Sequence, residues 1–166
     1  PHFISAAPLG QLAALDVHQL YKLRVDVFVH EQRCPYAEID ATDADPRPCT
    51  CWPDADTHEL LGTARVFPAA PADDAALSDA TPTNAPTTGA QIGRFALSPA
   101  ARGTGLGREL LQASIDLGER MRPGQPLYLE AQAGLVDYYA SFGFTPTGKP
   151  FDDEGVPHQP MLRPAS

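Results

Sequence analysis

The sequence predicts a single mixed α/β (α+β) domain over residues 1–166, with an antiparallel start and a central strand–helix–strand unit. A chain of 166 residues, 43% of them hydrophobic, is long enough to bury the core of one domain. Strand-like and helix-like apolar patterns alternate along it. A glycine-rich turn joins the apolar run Ile92–Leu97 to a helical pattern that begins at Leu106, and this turn marks the centre of the predicted fold.

The first half of the chain predicts one helix and three strands. Asp16 and Gln19 have the spacing of a capping box, and apolar residues at helical spacing follow, so we predict a helix over 16–31. The predicted strands are Phe3–Ala6, Cys49–Trp52 and His58–Phe67, the last two joined by a turn at Pro53–Asp56. Residues 68–89 are rich in Pro, Ala, Asp and Thr and predict a mobile loop within the domain.

The second half alternates strands and helices. A helix from Leu106 to Met121 is predicted to end before Pro123-Gly124, and a short helix over Leu135–Phe142 is predicted to close at Gly143. The remaining predicted strands are Ile92–Leu97, Leu127–Gln132 and an antiparallel pair, Phe144–Thr147 with Val156–Arg163.

Composition excludes several classes of protein. A net charge of −9 argues against a nucleic-acid partner, which requires a basic face. The chain opens with no basic-then-apolar leader and has no apolar run of membrane-spanning length, which predicts a soluble, cytoplasmic protein without a membrane partner. Cys34, Cys49 and Cys51 are then expected to be free thiols.

An acidic stretch lies between Tyr36 and Asp56, with six carboxylates and one basic residue, Arg47. Charge patterning favours a solvated acidic surface. The alternative is a surface that attracts a cationic substrate.

The turn Ser98–Leu110 places glycines at 103, 105 and 107. Unpaired backbone amides and the positive end of a helix dipole make such a strand–turn–helix unit suited to phosphate. It is neither a Walker loop, since Arg108 follows the last glycine, nor a dinucleotide fingerprint, whose glycine spacing is absent. Phosphate binding is the favoured interpretation, and close helix–strand packing is the alternative.

Four motifs resemble the GCN5-related N-acetyltransferase (GNAT) superfamily. The sequence RGTGLG at 102–107 matches its Arg/Gln-x-x-Gly-x-Gly/Ala signature, and DYYASFGF at 137–144 resembles its helix ending in Tyr-x-x-x-Gly-Phe. The stretches 24–36 and 155–161 resemble the ElaA-like branch. The match runs from about Tyr21 to Met161. It implies a mostly antiparallel sheet whose central strands splay around a CoA-binding strand–helix–strand unit.

The resemblance implies acetyl-CoA as the acyl donor and no metal. The pyrophosphate would lie over the amides of residues 103–108, and the pantetheine would pair with the edge of the strand before the turn. A backbone amide near Leu97 would stabilise the oxyanion. The implied donor-binding residues are Phe95, Ala96, Leu97, Arg102, Gly103, Thr104, Gly105, Leu106, Gly107 and Arg108.

Acyl transfer to an amine needs a general acid and a general base. The motif implies Tyr139 as the acid that protonates the leaving thiolate, with Tyr138 as a packing residue; helical periodicity alone would place Tyr139 in the core. Three residues are candidate bases, Glu130, Glu31 and His158, and a water-mediated base is also possible. In the alternative interpretations, Glu130 pairs with a buried arginine such as Arg94, Glu31 is a solvated acid at a helix end, and His158 is a strand surface residue.

Other chemistries are less favoured. Cys49-x-Cys51 with His58 lacks a second close pair of metal ligands, and Cys34 has no local base that would make it a nucleophile.

The rival functions are an acyl-homoserine-lactone-synthase-like enzyme and a noncatalytic acyl-CoA-binding module. The acceptor is expected to be a small-molecule or peptide amine, and the protein a monomer or a homodimer.

Overall fold

The computed structural model describes residues 3–44, 49–54, 59–69 and 88–166, and residues 49–54 as backbone only. The helices are α1 (Ala14–Arg24), continued by a π-helical segment (Val25–Glu31), α2 (Ala41–Ala44), α3 (Leu106–Met121) and α4 (Val136–Ala140). The strands are β1 (Phe3–Pro8), β2 (Cys49–Asp54), β3 (Gly62–Pro68), β4 (Ala90–Leu97), β5 (Leu127–Gln132), β6 (Thr145–Pro146), β7 (Phe151–Asp153) and β8 (Val156–Arg163).

The described strands form one mixed sheet in the order β1-β2-β3-β4-β5-β8-β6, with β7 paired to β8. All of these pairs are antiparallel except β4 and β5, which are parallel and connected through α3. The predicted mostly antiparallel sheet with a central strand–helix–strand unit is therefore confirmed.

The central strands β4 and β5 separate part-way along their length. They pair up to Ile92, which lies opposite Leu129, although β4 continues to Leu97 and β5 to Gln132. Beyond that point each strand keeps its outer neighbour, β3 or β8, and loses its inner one. This is the splay that the resemblance implied, and it leaves a cleft between the two strands.

A β-bulge lies in β4 at the splay. Between the residues paired with Thr63 and Arg65, β4 holds one more residue than β3, and Arg94 has φ 49°. A bulge breaks the strict alternation of strand side chains between the two faces. Consistent with this, the consecutive residues 91–95 all line the cleft.

Helices cover both faces of the sheet. Val66 of β3 packs in the main core with Leu110 and Ile115 of α3. The neighbouring Arg65 donates a hydrogen bond to Asp43, which also accepts one from Arg24 of α1. Because successive strand residues point to opposite faces, α1 and α3 lie on opposite sides of the sheet.

Two local predictions are wrong. α1 begins at Ala14, after an N-cap residue that makes no side-chain cap, so Asp16 lies in the first turn and forms no capping box. The turn predicted at Pro53–Asp56 is wrong at its first two residues, because Pro53 and Asp54 pair with β1 and so extend β2; residues 55 and 56 lie outside the described residues. The predicted loop 68–89 lies outside the described residues at 70–87, and His58 of the predicted third strand also lies outside them. Among the described residues, no helix has the length and apolar character needed to cross a membrane.

Candidate active site

The cleft at the splay has a volume of about 140 Å³. Three of the four predicted catalytic residues line it together: Glu130 of β5, Tyr139 of α4 and His158 of β8. They are far apart in the sequence and come together because β5 and β8 pair while α4 follows β5.

Tyr139 is both a core residue and a cleft residue. It is 8% exposed, and its ring packs edge-on against Phe144 at 6.4 Å between centroids. Burial, and secondarily Tyr138, raise the pKa of Tyr139 above its ordinary value, so the phenol stays protonated at neutral pH. No hydrogen-bond partner of its hydroxyl is found in the described part of the chain. The side chain can therefore give a proton to a bound molecule.

Glu130 has the properties of a base for neutral pH. Burial raises the pKa of Glu130 to about 7, with a further rise from Asp153 and opposing effects from Tyr128 and Arg94. The Tyr128 hydroxyl donates a hydrogen bond of 3.3 Å to Glu130 Oε1. A carboxyl with this pKa exchanges protons readily at neutral pH, as general acid–base catalysis requires.

His158 is buried at 8% exposure, so the expectation of a strand surface residue is wrong. Its Nδ1 lies 2.8 Å from the carbonyl oxygen of Val156, and its ring stacks on Phe151 at 5.5 Å. Since a carbonyl only accepts hydrogen bonds, Nδ1 carries the hydrogen, and in the neutral ring Nε2 is left as an acceptor.

Glu31 lies elsewhere. It ends the π-helical segment and pairs with Arg102, with N–O distances of 2.9 and 3.0 Å and both side chains more than two-fifths exposed. Arg102 also donates a hydrogen bond of 3.3 Å to the carbonyl of Leu97. Glu31 is therefore placed at the glycine turn and is absent from the lining of the cleft.

Each glycine of the turn has a structural reason. Gly103 and Gly105 have φ of 75° and 90°, in the left-handed region, and a Cβ on either would face open space. A Cβ on Gly107 would lie 2.9 Å from Leu97 Cδ1, so this glycine allows α3 to approach β4. Close packing therefore explains one glycine, and backbone conformation explains the other two.

The turn also presents unpaired amides. In the described part of the chain, the backbone N–H groups of Gly103, Gly105, Gly107 and Arg108 have no hydrogen-bond partner. Thr104 shapes the turn, since its hydroxyl donates a hydrogen bond of 2.6 Å to the carbonyl of Ala101. These amides lie at the start of the 16-residue helix α3, where an anion is stabilised.

The other predicted donor-binding residues flank this turn. Ala96 and Leu97 pair with β3, and the opposite edge of β4 has no strand partner there among the described residues. Phe95 lines the cleft, and Leu106 is fully buried as the first residue of α3. The Arg108 guanidinium lies over the Phe142 ring, 5.0 Å from its centroid.

One wall of the cleft belongs to a buried set of ion pairs, here called the arginine network. It consists of Arg24, Arg65 and Arg94 with Glu38, Asp40 and Asp43. Arg24 is central: it lies 2.7 Å from Glu38 and 2.7 Å from Asp43 and is 1% exposed. Burial would raise the pKa of Asp43, but the hydrogen bond and charge of Arg24 outweigh it and lower that pKa.

The predicted solvated acidic surface is therefore wrong for Glu38 and Asp43, which are each 6% exposed. The sequence of the acidic stretch alone could not reveal this burial, because the arginines that neutralise these acids come from distant positions. Arg94 contacts Glu38 and Asp40, at 3.4 Å each, and makes no ion pair with Glu130. Two buried atoms of the network, Glu38 Oε2 and Arg65 Nε, have no hydrogen-bond partner among the described residues.

The cysteines add no chemistry to the described site. Cys34 is a buried free thiol whose Sγ lies 3.7 Å from Gln32 Oε1, an amide oxygen and no base. The side chains of Cys49 and Cys51, and all of His58, lie outside the described residues. Within the described ranges, no three His, Cys, Asp or Glu side chains are grouped so as to hold a metal ion.

Sequence reasoning did not identify Arg65 and Asp153 as residues of the cleft, and it named Arg94 only as a possible partner of Glu130. For Arg94 a signal existed, because the preceding Gly93 interrupts a strand pattern and such a glycine often marks a bulge. For Asp153 the signal was the sequence DDEG at 152–155, a turn that could have predicted the β7–β8 hairpin.

Comparison with known proteins defines the class. A family model described as an acetyltransferase (GNAT) domain matches residues 73–163, more than half of the chain. The chain therefore belongs to the GNAT acetyltransferase family.

Within that family the chain is ElaA-like. It is 35% identical to protein ElaA of Escherichia coli over 156 residues, which are 93% of this chain and 91% of that protein. The crystal structure of Escherichia coli ElaA superposes with a TM-score of 0.81 at 30% identity, covering 98% of this chain and 99% of that one. An acyl-CoA N-acyltransferase from Pseudomonas aeruginosa gives the same TM-score, identity and coverage. The CoA-dependent acyl-homoserine lactone synthase BjaI superposes with a TM-score of 0.75 at 18% identity, covering 100% of this chain and 84% of the synthase. At this identity the similarity shows a shared fold alone.

Proposed function

We propose that this protein transfers an acetyl group from acetyl-CoA to a primary amine by direct attack in a ternary complex. The observation that carries the proposal is the convergence of Glu130 and Tyr139 on the cleft, where the edge of β4 has no strand partner among the described residues. One residue can accept a proton near pH 7 and the other can donate one. Direct aminolysis of a thioester requires both.

The donor would bind along β4 and over the glycine turn. Within the described ranges the backbone amides of Gly103, Gly105, Gly107 and Arg108 are unpaired and suit the pyrophosphate. The edge of β4 that has no strand partner in those ranges suits the amide groups of the pantetheine. The similar protein from Pseudomonas aeruginosa is an acyl-CoA N-acyltransferase, which supports an acyl-CoA donor here. An acetyl-CoA-dependent reaction also agrees with the predicted cytoplasmic location.

In the proposed reaction, Glu130 takes a proton from the acceptor ammonium, directly or through water. The freed nitrogen attacks the thioester carbonyl, whose oxyanion accepts a hydrogen bond from a backbone amide near Leu97. The C–S bond then breaks, and Tyr139 gives its proton to the departing thiolate. The attacked nitrogen loses its second proton to water as the intermediate collapses. Solvent then reprotonates Tyr139 and takes up the proton held by Glu130, so the products are an N-acetylated amine, CoA with a free thiol and one proton.

A screen of amine acceptors with acetyl-CoA, measured as release of free thiol, tests this function. Amine-dependent release that Tyr139→Phe lowers would support it. CoA binding measured by calorimetry, without turnover of any amine, would contradict it and favour a noncatalytic module. Release that depends on S-adenosylmethionine and an acyl-carrier protein would favour chemistry like that of the acyl-homoserine lactone synthases.

A further inference from the structure

Asp153, the last residue of β7, lines the same cleft as Glu130 and Tyr139. We propose that Asp153 determines acceptor specificity by binding a second ammonium group, so that the preferred acceptors are linear diamines and polyamines. The inference rests on the proposed acetyl transfer and names the substrate class for the same site.

Strand pairing places Asp153 on the face that carries the reacting groups. Phe151 lies opposite His158 on β8, and His158 lies opposite Gln132 on β5. Residues opposite one another, and residues two apart along a strand, share a face of the sheet. Asp153 lies two residues after Phe151, and Glu130 lies two residues before Gln132. Both carboxyls therefore lie on the same face of the sheet, the face of the cleft.

The charges of the cleft leave these two carboxyls without a counter-ion. Arg65 and Arg94 also line the cleft, but the three arginines of the arginine network face an equal number of carboxylates. In the described ranges, no Lys, Arg or His nitrogen lies within 4.0 Å of a carboxylate oxygen of Asp153 or Glu130. Asp153 therefore adds a negative charge to the cleft that no ion pair among the described residues offsets, and a cationic acceptor would neutralise it.

Tyr139 gives a second observation, independent of the charges, that the cleft suits a ligand. The residue is only 8% exposed and lines the cleft, and no hydrogen-bond partner of its hydroxyl is found among the described residues. A hydroxyl that lines a cleft without a partner among the described residues is available to hydrogen-bond a bound molecule.

The remaining walls suit an alkyl chain that bears a charge. Phe28, Tyr36 and Phe67 all line the cleft and offer apolar surface to methylene groups. Arg94 and Arg65 lie over the rings of Tyr36 and Phe67, each 5.3 Å from the centroid, so these two rings serve the alkyl chain and Asp153 serves the charge. An ammonium held by Asp153 would leave the far nitrogen of a diamine to reach Glu130. A monoamine of the same length would lack the first of these contacts.

Steady-state kinetics at saturating acetyl-CoA test the inference with two acceptors that have equal numbers of heavy atoms, 1,4-diaminobutane and pentylamine. The quantity compared is the ratio of kcat/KM for the diamine to kcat/KM for the monoamine. We expect this ratio to fall by about tenfold in Asp153→Asn, mainly through the KM for the diamine. Glu154→Gln is the matched control, because it removes a neighbouring exposed carboxylate that does not line the cleft. It should leave the ratio unchanged.

Three results would overturn the inference and leave the proposed function standing: turnover of both amines with no preference for the diamine, an unchanged ratio in Asp153→Asn, or an equal fall in Glu154→Gln. A failure of the proposed function gives a different result. In that case the parent protein binds CoA but acetylates neither amine, nor any diamine of three to six carbons, and the inference falls with it.

Discussion

The hydroxyl of Tyr128 donates a hydrogen bond of 3.3 Å to Glu130 Oε1, two residues further along β5. This bond stabilises the charged carboxylate and opposes the effect of burial, which favours the neutral acid. Asp153 adds to the effect of burial, and Arg94 opposes it. The balance of these four influences leaves the pKa of Glu130 at about 7.

The first prediction tests this balance. Tyr128→Phe removes a donor to the carboxylate, so the pKa of Glu130 should rise and the rising limb of kcat/KM against pH should move to higher pH. Asp153→Asn removes a like charge, so the limb should move to lower pH. A pH–rate profile with a monoamine acceptor measures both shifts. Movement of both variants in the same direction would exclude Glu130 as the titrating base.

The second prediction concerns stability. Burial raises the pKa of Glu130 from 4.5 to about 7, so between these values the folded protein holds a proton that the unfolded chain has lost. Stability is therefore lost as the pH rises through this interval, by an amount on the order of 3 kcal/mol. Glu130→Gln, which cannot ionise, should have a Tm several degrees above that of the parent at pH 8 and a smaller advantage at pH 5.

Thermal scans of Glu130→Gln at the two pH values decide this point, with Glu154→Gln as the variant at an exposed position. An equal Tm difference between Glu130→Gln and the parent at pH 5 and pH 8 would mean that Glu130 does not carry the raised pKa.

The third prediction places CoA at the glycine turn. Gly105→Asn keeps a residue that tolerates left-handed backbone and puts its side chain into open space, where the pyrophosphate is proposed to lie. We expect CoA affinity, measured by calorimetry, to fall at least tenfold. Gly124→Asn is the matched control, since Gly124 also has positive φ and open space beyond the other end of α3. Equal CoA affinity of the two variants would place the pyrophosphate elsewhere.

The fourth prediction concerns proton delivery. Tyr139→Phe keeps the ring packed on Phe144 and breaks no hydrogen bond seen among the described residues, so the fold should be unchanged. Turnover of the amine should fall roughly ten- to a thousand-fold at unchanged CoA affinity. Tyr138→Phe, on the same helix, should retain turnover within a few-fold. Parental turnover by Tyr139→Phe would assign the residue to the core alone.

The fifth prediction concerns the arginine network. Arg24→Ala leaves Glu38 and Asp43 buried without their main partner, so the free energy of unfolding should fall by about 3–5 kcal/mol. Lys22→Ala, two residues earlier, breaks an exposed pair with Asp26 and should cost about 0.5 kcal/mol. Urea unfolding measures both values. Similar losses in the two variants would show that the network contributes no more than a surface ion pair.

Local patterns predicted the centre of the fold well. The strand–turn–helix at 92–121 and the strand at 127–132 lie within a few residues of their expected bounds, because apolar periodicity and turn glycines act over short distances. Tyr139 and His158 came from motifs whose spacing is also local, and Glu130 came from its place in the strand that borders the splay. The glycines of the turn have two structural reasons, backbone conformation for Gly103 and Gly105 and close packing for Gly107, and their role toward a phosphate stays a prediction.

Contacts between distant segments could not be predicted in this way. Arg24, Arg65 and Arg94 meet only when α1, β3 and β4 are assembled, so the acids around Glu38 were assigned to the surface. Glu31 was placed among the bases for a similar reason, since its partner Arg102 lies 71 residues away. The π-helical geometry of residues 25–31 likewise has no signature in apolar periodicity.

The bulge in β4 reverses the face of the sheet to which the even-numbered residues of that strand point. Before it, the even-numbered Ile92 packs in the core under α3. After it, the odd-numbered Leu97 packs against that same core, while the even-numbered Ala96 joins Phe28 of the π-helical segment on the other face. The extra residue thus lets β4 pack large side chains against α3 from both ends of the strand. Without it, Leu97 would turn away from Gly107, and α3 would lose the contact that seats its first turn on the sheet.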